Sequence, residues 1–151
     1  MKYFPLALIF IASCSAPIAP TKPEFSETPP AVEPKEVDPI LEMHNKERSK
    51  RGLDELSLDR DMCSYAQKHA ESMSKSNRLY HSSMSALLKA SEGSSVAENI
   101  AWGQESEEEV MKSWMTSSGH KRNILGNYKK MGFGSSKAKD GTIYWCVVFS
   151  S

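Results

Sequence analysis

Residues 143–149 are the sequence feature that most constrains the fold. All seven are apolar or aromatic, so a strand built from them has no polar face to turn towards water. A strand that is apolar on both faces has to be covered by other structure on each side. Asp140-Gly141, just before it, is a strong hairpin signal that pairs residues 130–137 with residues 142–150. The segment therefore predicts an α/β fold, a three-layer α/β/α sandwich with a small, mainly antiparallel central sheet.

Helices are available to cover both faces of that sheet. Apolar spacing, caps and stop signals place four of them at about residues 39–50, 60–75, 84–90 and 106–116. Asp59 is a candidate N-cap of the second helix, and Ser106 with Glu109 forms a capping box for the fourth. Helix and strand signals thus alternate along the chain, as a layered fold requires.

Proline divides the chain near residue 39. Seven of the eight prolines lie between residues 17 and 39, and none follows. Proline removes backbone donors and favours extended chain, so residues 14–39 are predicted to be a disordered tether without a packed core. Residues 40–151 have the length of one ordinary domain. They carry 16 Lys and Arg against 14 Asp and Glu, without a basic patch interleaved with aromatics, which predicts no nucleic-acid partner.

The N-terminus has the character of an export signal. Its apolar run ends at Ile11 and is shorter than the roughly 20 residues that a membrane-spanning helix needs. The run closes with Ile-Ala-Ser before Cys14, which resembles a bacterial lipobox. We expect residues 1–13 to be a lipoprotein signal peptide and the acylated Cys14 to anchor the linker 14–39 to a membrane. The alternative is an ordinary signal peptide followed by an unrelated cysteine.

A lipid anchor of this kind predicts the location of the domain. It would be extracytoplasmic and attached to a bacterial cell membrane, with Ser15 compatible with the outer membrane of a diderm cell. In an oxidising compartment Cys63 and Cys146 could form one disulfide. Both lie in apolar contexts, which slightly favours buried free thiols.

Six short motifs follow one another along residues 40–151. They are Asn45-x-x-Arg48 with Gly52-Leu53, Ala66-Gln67-x-His69-Ala70, Tyr80-His81-Ser82, Ala97-Glu98-Asn99-Ile100, Gly119-His120-x-x-Asn123-Ile124-Leu125 and Tyr144-Trp145-Cys146-Val147-Val148-Phe149. In this order they resemble the CAP superfamily, the cysteine-rich secretory protein, antigen 5 and pathogenesis-related 1 group, in its compact bacterial branch. The resemblance implies the α/β/α (SCP-like) fold and a surface cleft lined by two histidines and two acids.

Carried over position by position, the resemblance assigns four cleft residues. His81 matches the first histidine, Glu98 the first acid and His120 the second histidine. Ser117 stands where many relatives have the second acid. A serine is not a general base unaided and does not balance the charge of a divalent cation, so this departure weakens acid–base catalysis as an explanation. Glu98 is then the best candidate for a catalytic residue.

The two histidines of the cleft suggest a metal site. Neutral imidazoles of His81 and His120 could hold Zn²⁺ or another divalent ion, with Glu98 as an orienting partner. Two protein ligands are fewer than the three of most catalytic zinc sites, so the expected affinity is modest. The alternative is that Glu98 caps a backbone group and the histidines hydrogen-bond within a polar cleft. His44 and His69, on predicted helices, are expected to be structural.

Two functional classes fit these residues. The favoured one is a cleft-bearing binding module of the cell envelope for a lipid, carbohydrate or protein ligand. The other is a metal-assisted hydrolase or peptidase that uses the His/Glu cleft. No nucleophile supports the second, because Cys146 lies in an apolar strand and no G-x-S-x-G elbow occurs. A third possibility is a stable envelope spacer whose cleft has no function.

Overall fold

The computed structural model describes residues 38–91 and 93–151. The predicted signal peptide, the Cys14 anchor and the tether up to residue 37 lie outside these residues. Glu36–Ser151 form one compact unit that contains its own hydrophobic core. No helix in the described ranges is long and apolar enough to cross a membrane.

The described residues build one central sheet. Its strands are β1 (Ser57–Leu58), β2 (Val96–Trp102), β3 (Lys130–Lys137) and β4 (Ile143–Ser150). Their order across the sheet is β1-β3-β4-β2, with β4 antiparallel to both β2 and β3 and β1 parallel to β3. The predicted hairpin is confirmed as β3 and β4. Gly141 supplies the positive φ that its turn requires, at 93°.

β2 was not among the predicted strands. Its Glu98 and Asn99 interrupt the apolar run, yet they are only 7% and 0% exposed. Both polar side chains are buried through hydrogen bonds to other segments, which a single-sequence pattern does not reveal. β2 is also an edge strand, so the polar pair lies at the border of the sheet.

Helices cover both faces of the sheet. They are α1 (Pro39–Ser49), α2 (Arg60–Ser76), α3 (Met84–Ser91), α4 (Glu107–Thr116) and α5 (Ser118–Ile124). Trp145 and Val147 of β4 pack with α1, α4 and α5, whereas Cys146 and Val148 pack with α2 and α3. The predicted three-layer α/β/α sandwich is confirmed, and the predicted helices are present close to their predicted bounds.

The predicted helix caps are formed as well. The Asp59 carboxylate accepts hydrogen bonds from the backbone N of Asp61 and of Met62, each at 3.1 Å. The Ser106 hydroxyl accepts from the Glu109 backbone N at 3.2 Å. The Glu109 carboxylate accepts from the Glu105 backbone N at 2.9 Å, one residue earlier than a standard capping box places it.

Two glycines of β3 allow α2 to lie directly on the sheet. A Cβ atom on Gly132 would fall 2.2 Å from the backbone of Met62, and one on Gly134 would fall 2.3 Å from the backbone N of Gln67. Only residues without a side chain permit this approach. The close packing fixes the height of α2 above the sheet, and α2 contributes one wall of the site described below.

The buried guanidinium of Arg48 binds four backbone carbonyls in two segments of the chain. It is 2% exposed and donates to the carbonyl oxygens of Asp54 at 2.8 Å, Ile124 at 2.9 Å, Gly126 at 2.7 Å and Tyr128 at 3.1 Å. These bonds tie α1 to the end of α5 and to the loop that enters β3. Arg48 thereby satisfies carbonyls that would otherwise be buried without a partner.

His44 is a structural residue of the core, as expected. Its Nδ1 donates to the Ile40 carbonyl at 2.7 Å, and its ring lies against Trp114 and Phe149. Burial, reinforced by the charge of Arg48 and opposed by the hydrogen bond to Ile40, lowers the pKa of His44 to about 4. The ring is therefore neutral in the folded protein at neutral pH.

The lowered pKa of His44 predicts a loss of stability in acid. The unfolded chain binds more protons than the folded one between pH 6.5 and 4, so the free energy of unfolding falls as pH falls through this window. The shift corresponds to about 3 kcal/mol. His44→Phe keeps an aromatic ring and removes the titrating group. In urea denaturation, the difference between pH 7 and pH 4 should shrink by about 3 kcal/mol in this variant. An equal pH dependence in both proteins would contradict the assignment.

Candidate functional site

The carboxylate of Glu98 is the centre of the site. Its side chain is 3% exposed and points to the layer of α2 and α3. Oε1 accepts from His81 Nδ1 at 2.8 Å and from the Ser82 backbone N at 3.0 Å, while Oε2 accepts from Ser82 Oγ at 2.6 Å. The Cys146 thiol lies 3.8 Å from Oε2. Donors from the 81–82 segment and from β4 therefore occupy both oxygens.

The bond to Glu98 fixes how His81 presents its ring. A carboxylate oxygen only accepts hydrogen bonds, so Nδ1 carries the hydrogen. In the neutral imidazole, Nε2 then holds a lone pair. The His81 side chain is 62% exposed, so its ring is open to solvent. Glu98 thus orients His81 as an outward-facing acceptor or ligand.

His120 comes from the opposite layer. It lies in α5, and its carbonyl accepts from Asn99 Nδ2 at 3.0 Å. Partial burial, and then the charge of the nearby His81, lower the pKa of His120. The structure therefore brings the two predicted histidines together at the free edge of β2, and it favours the neutral form of His120.

Asn123 holds α5 against this edge. Its Nδ2 donates to the Glu98 carbonyl at 3.2 Å and to Asn99 Oδ1 at 2.9 Å. Two neighbouring residues of β2 thus serve opposite layers, because Glu98 binds the 81–82 segment and Asn99 binds α5. This explains why acid and amide stand next to each other in the Ala97-Glu98-Asn99-Ile100 motif.

Ser117 lies at the junction of α4 and α5. It is half-buried, and its side chain makes no capping hydrogen bond to α5. It is the N-cap residue of α5, three positions before His120, and its backbone is extended. Its hydroxyl carries no charge, so Ser117 supplies no carboxylate to the cleft.

Three residues outside the four predicted cleft positions lie beside Glu98 or its partners, namely His69, Tyr65 and Ser82. His69, expected to be structural, donates from Nε2 to the Tyr80 carbonyl at 2.9 Å and lies 3.8 Å from Glu98 Oε2. Tyr65 stacks on His69 with ring centroids 6.3 Å apart, and its phenol lies close to Ser82. The spacing of four between Tyr65 and His69 on a helix was the available signal, since it puts both on one face.

The described cysteines are both free thiols, as the apolar context favoured. Burial, together with the charge of Glu98, raises the pKa of Cys146 well above its ordinary value. Burial also raises the pKa of Cys63. Cys146 is thus a protonated thiol that faces a carboxylate, which is the opposite of the setting that activates a nucleophilic cysteine.

Comparison with known proteins identifies the family. The profile of the cysteine-rich secretory protein family, CAP, matches residues 41–149. The chain belongs to this family. It is 36% identical over 103 residues to the protein YkwD of Bacillus subtilis, which covers 63% of this chain and 40% of that protein. The chain therefore spans about two fifths of the length of this relative.

Solved structures share the fold of this CAP domain. An outer surface protein of Borrelia burgdorferi superposes with a TM-score of 0.66 at 20% identity, over 73% of this chain and 87% of that one. An extracellular SCP-domain protein of Bacillus anthracis superposes with a TM-score of 0.63 at 23% identity, over 74% of this chain and 38% of that one. At these identities the likeness extends to the fold alone.

The donor atoms of the CAP cleft limit the number of protein ligands available to a metal ion. Among residues 38–91 and 93–151, no group of three or more His, Cys, Asp or Glu side chains is arranged to hold an ion. His81 Nε2 and the neutral ring of His120 are the nitrogen donors at the edge of β2, and the oxygens of Glu98 are already bonded. The residues fit at most a two-imidazole site completed by water.

Replacing Glu98 tests the orienting role of its carboxylate. In Glu98→Gln the amide oxygen can still accept from Ser82 N and His81, but the bonds lose their charge assistance. We expect the domain to fold and its free energy of unfolding to fall by about 1–2 kcal/mol. Glu55→Gln, at an exposed glutamate without a side-chain hydrogen bond or ion pair among the described residues, is the matched control and should change it by less than about 0.5 kcal/mol. Equal effects in denaturant unfolding would show that the Glu98 network is unimportant.

Proposed function

We propose that this chain is an extracytoplasmic lipoprotein whose CAP domain is a ligand-binding module. The observation that carries the proposal is the state of Glu98. Its oxygens are taken up by His81, Ser82 and Cys146, so the carboxylate holds the site in shape and has no lone pair directed at a substrate. The groups that face outwards are imidazole nitrogens at the edge of β2, which suit recognition of a ligand.

The exposed polar groups of the cleft suit several classes of ligand. Imidazole nitrogens, the Ser117 hydroxyl and the exposed ring of Tyr80 can contact a lipid, carbohydrate or protein group. Two structural relatives carry names that place them outside the cell, an outer surface protein and an extracellular protein. Those names support an envelope location for this chain, and the lipobox at Cys14 supports its anchorage there.

A weak divalent-metal site is part of the proposal. His81 Nε2 and His120 would hold the ion, and Glu98 would orient His81 from behind. A bound ion would supply Lewis acidity and an attachment point for an oxygen of the ligand. The replacement of an acid by Ser117 leaves the charge of the ion uncompensated, so weak binding is expected.

The metal-assisted hydrolase remains the second candidate because of the His81–Glu98 pair. A carboxylate on Nδ1 stabilises an imidazolium, so His81 Nε2 could take a proton from an attacking water. The Glu98→Gln variant separates the two functions. A hydrolase loses turnover well beyond its loss of stability, whereas a binding module keeps its ligand affinity.

Zinc titration is the first test of the cleft. Calorimetry on the unit Glu36–Ser151 should give a dissociation constant on the order of micromolar, and His81→Ala with His120→Ala should abolish binding. Ser117→Asp, which restores a carboxylate one turn before His120, should strengthen it. No heat from the folded wild-type unit would exclude the metal and leave the binding-module proposal to lipid and envelope pulldowns.

The same titration has a predictable pH dependence. Protonated imidazole cannot ligate, so binding should weaken as pH falls below the ordinary histidine value of about 6.5. The lowered pKa of His120 keeps this ligand neutral further into the acid range than an ordinary histidine. An apparent affinity at pH 5 equal to that at pH 7 would contradict ligation by these two rings.

The anchor is tested separately. Cys14→Ser removes the thiol that would be acylated, so metabolic labelling with a fatty acid should be lost and the protein should leave the membrane fraction. Cys63→Ser, at a domain cysteine, is the matched control and should keep the label. Persistent labelling of the Cys14 variant would contradict the lipoprotein assignment.

A further inference from the structure

The segment that carries His81 has no regular secondary structure. It follows the C-cap of α2, where Asn77 adopts the left-handed conformation with a φ of 51° and ends the helix. Residues 78–83 then connect α2 to α3 outside any helix or strand. Because a helix or sheet ladder does not hold this segment, the position of His81 depends on contacts with side chains around it.

α2 holds Tyr80, the residue before His81, at both of its ends. His69 Nε2 donates to the Tyr80 carbonyl at 2.9 Å, and Ser72 Oγ is hydrogen-bonded to the Tyr80 hydroxyl at 2.5 Å. The rings of His69 and Tyr80 also meet edge to face, with centroids 5.1 Å apart. His69 and Ser72 are three residues apart, which puts them on one face of the helix. Together they attach the His81 segment to α2.

His69 makes the better shielded of these two bonds. Its side chain is 9% exposed, stacks on Tyr65 and lies 3.8 Å from Glu98 Oε2. Ser72 and Tyr80 are both exposed, so water competes for their hydroxyl bond. A hydrogen bond that is shielded from water costs more to lose than one at the surface. His69 therefore contributes more than Ser72 to the position of Tyr80.

β2 holds the other side of His81. Its Glu98 accepts from the backbone N and the hydroxyl of Ser82, the residue after His81. The same carboxylate accepts from His81 Nδ1 and so fixes the direction of the ring. His81 thus lies between two neighbours that are attached to different elements, Tyr80 to α2 and Ser82 to β2.

We propose that His69 is a positioning residue of the cleft, which sets the place of His81 by holding the Tyr80 carbonyl. It acts through Tyr80 and contacts neither a ligand nor a metal. The close approach at Gly132 and Gly134 sets α2 on the sheet, and His69 passes this position on to His81. The role rests on the proposed function, because it requires that His81 contacts the ligand, but the state of the ring can be measured without one.

The tautomer of His81 reports its position. While Nδ1 donates to Glu98, the neutral ring carries its hydrogen on Nδ1, whereas a ring released from Glu98 can take either tautomer. Nitrogen-15 NMR of the full chain at about pH 8.5, above the ordinary histidine value, distinguishes the two forms. His69→Leu should lower the fraction of His81 with hydrogen on Nδ1. His69→Gln also lacks the ring but keeps an N–H donor for Tyr80, so it should restore most of this fraction.

A double-mutant cycle tests the bond between the two hydroxyls. Tyr80→Phe and Ser72→Ala each remove one partner and keep an aromatic ring at position 80. Each should lower the Nδ1–H fraction of His81 less than His69→Leu does, and the double variant should lower it no further than either alone. Ser76→Ala is the matched control, because Ser76 is an exposed serine of α2 whose hydroxyl donates to carbonyls of its own helix. It should leave the tautomer unchanged.

Zinc affinity is the second readout. His69→Leu should weaken the binding of zinc about two- to tenfold, as expected for the loss of one hydrogen bond, and His69→Gln should recover it. A folded His69→Leu variant with the wild-type tautomer of His81 would overturn the proposal, whether or not zinc binds. If this variant does not fold, an unchanged tautomer in both Tyr80→Phe and Ser72→Ala would overturn it instead. A lowered Nδ1–H fraction without zinc binding to the wild type supports the positioning role and excludes the metal.

Discussion

Burial of both faces of β4 is the constraint on which the rest of the structure depends. The strand pairs with β2 and β3 on its two edges and packs against helices above and below, so it meets protein in every direction. β2 pairs with β4, so the helices that cover the two faces of β4 also cover those of β2. The side chains of adjacent β2 residues therefore point into different layers. That of Glu98 binds the 81–82 segment, and that of Asn99 binds α5. The cleft is the line along which those layers meet at the free edge.

Two buried charges complete this architecture in complementary ways. The Arg48 guanidinium is surrounded by backbone carbonyls, and the Glu98 carboxylate is surrounded by backbone, hydroxyl, imidazole and thiol donors. Neither relies on a close ion pair between fixed opposite charges, so each is stabilised by hydrogen bonds that would be lost together on unfolding. A buried charge satisfied in this way keeps the shape of the site fixed. The exposed ring of His81 is then the part of the Glu98 network that a ligand can contact.

The sequence by itself determined the layered fold, the hairpin, the main helices and their caps, and through its motifs the family and the candidate cleft residues His81, Glu98, Ser117 and His120. Each of these depends on local spacing or on a contiguous pattern. Only the tertiary structure decided that Glu98 is enclosed and that His69, Tyr65 and Ser82 lie beside it or its partners. The physical reason is that burial and hydrogen bonding join residues far apart in the chain, and neither leaves a local pattern.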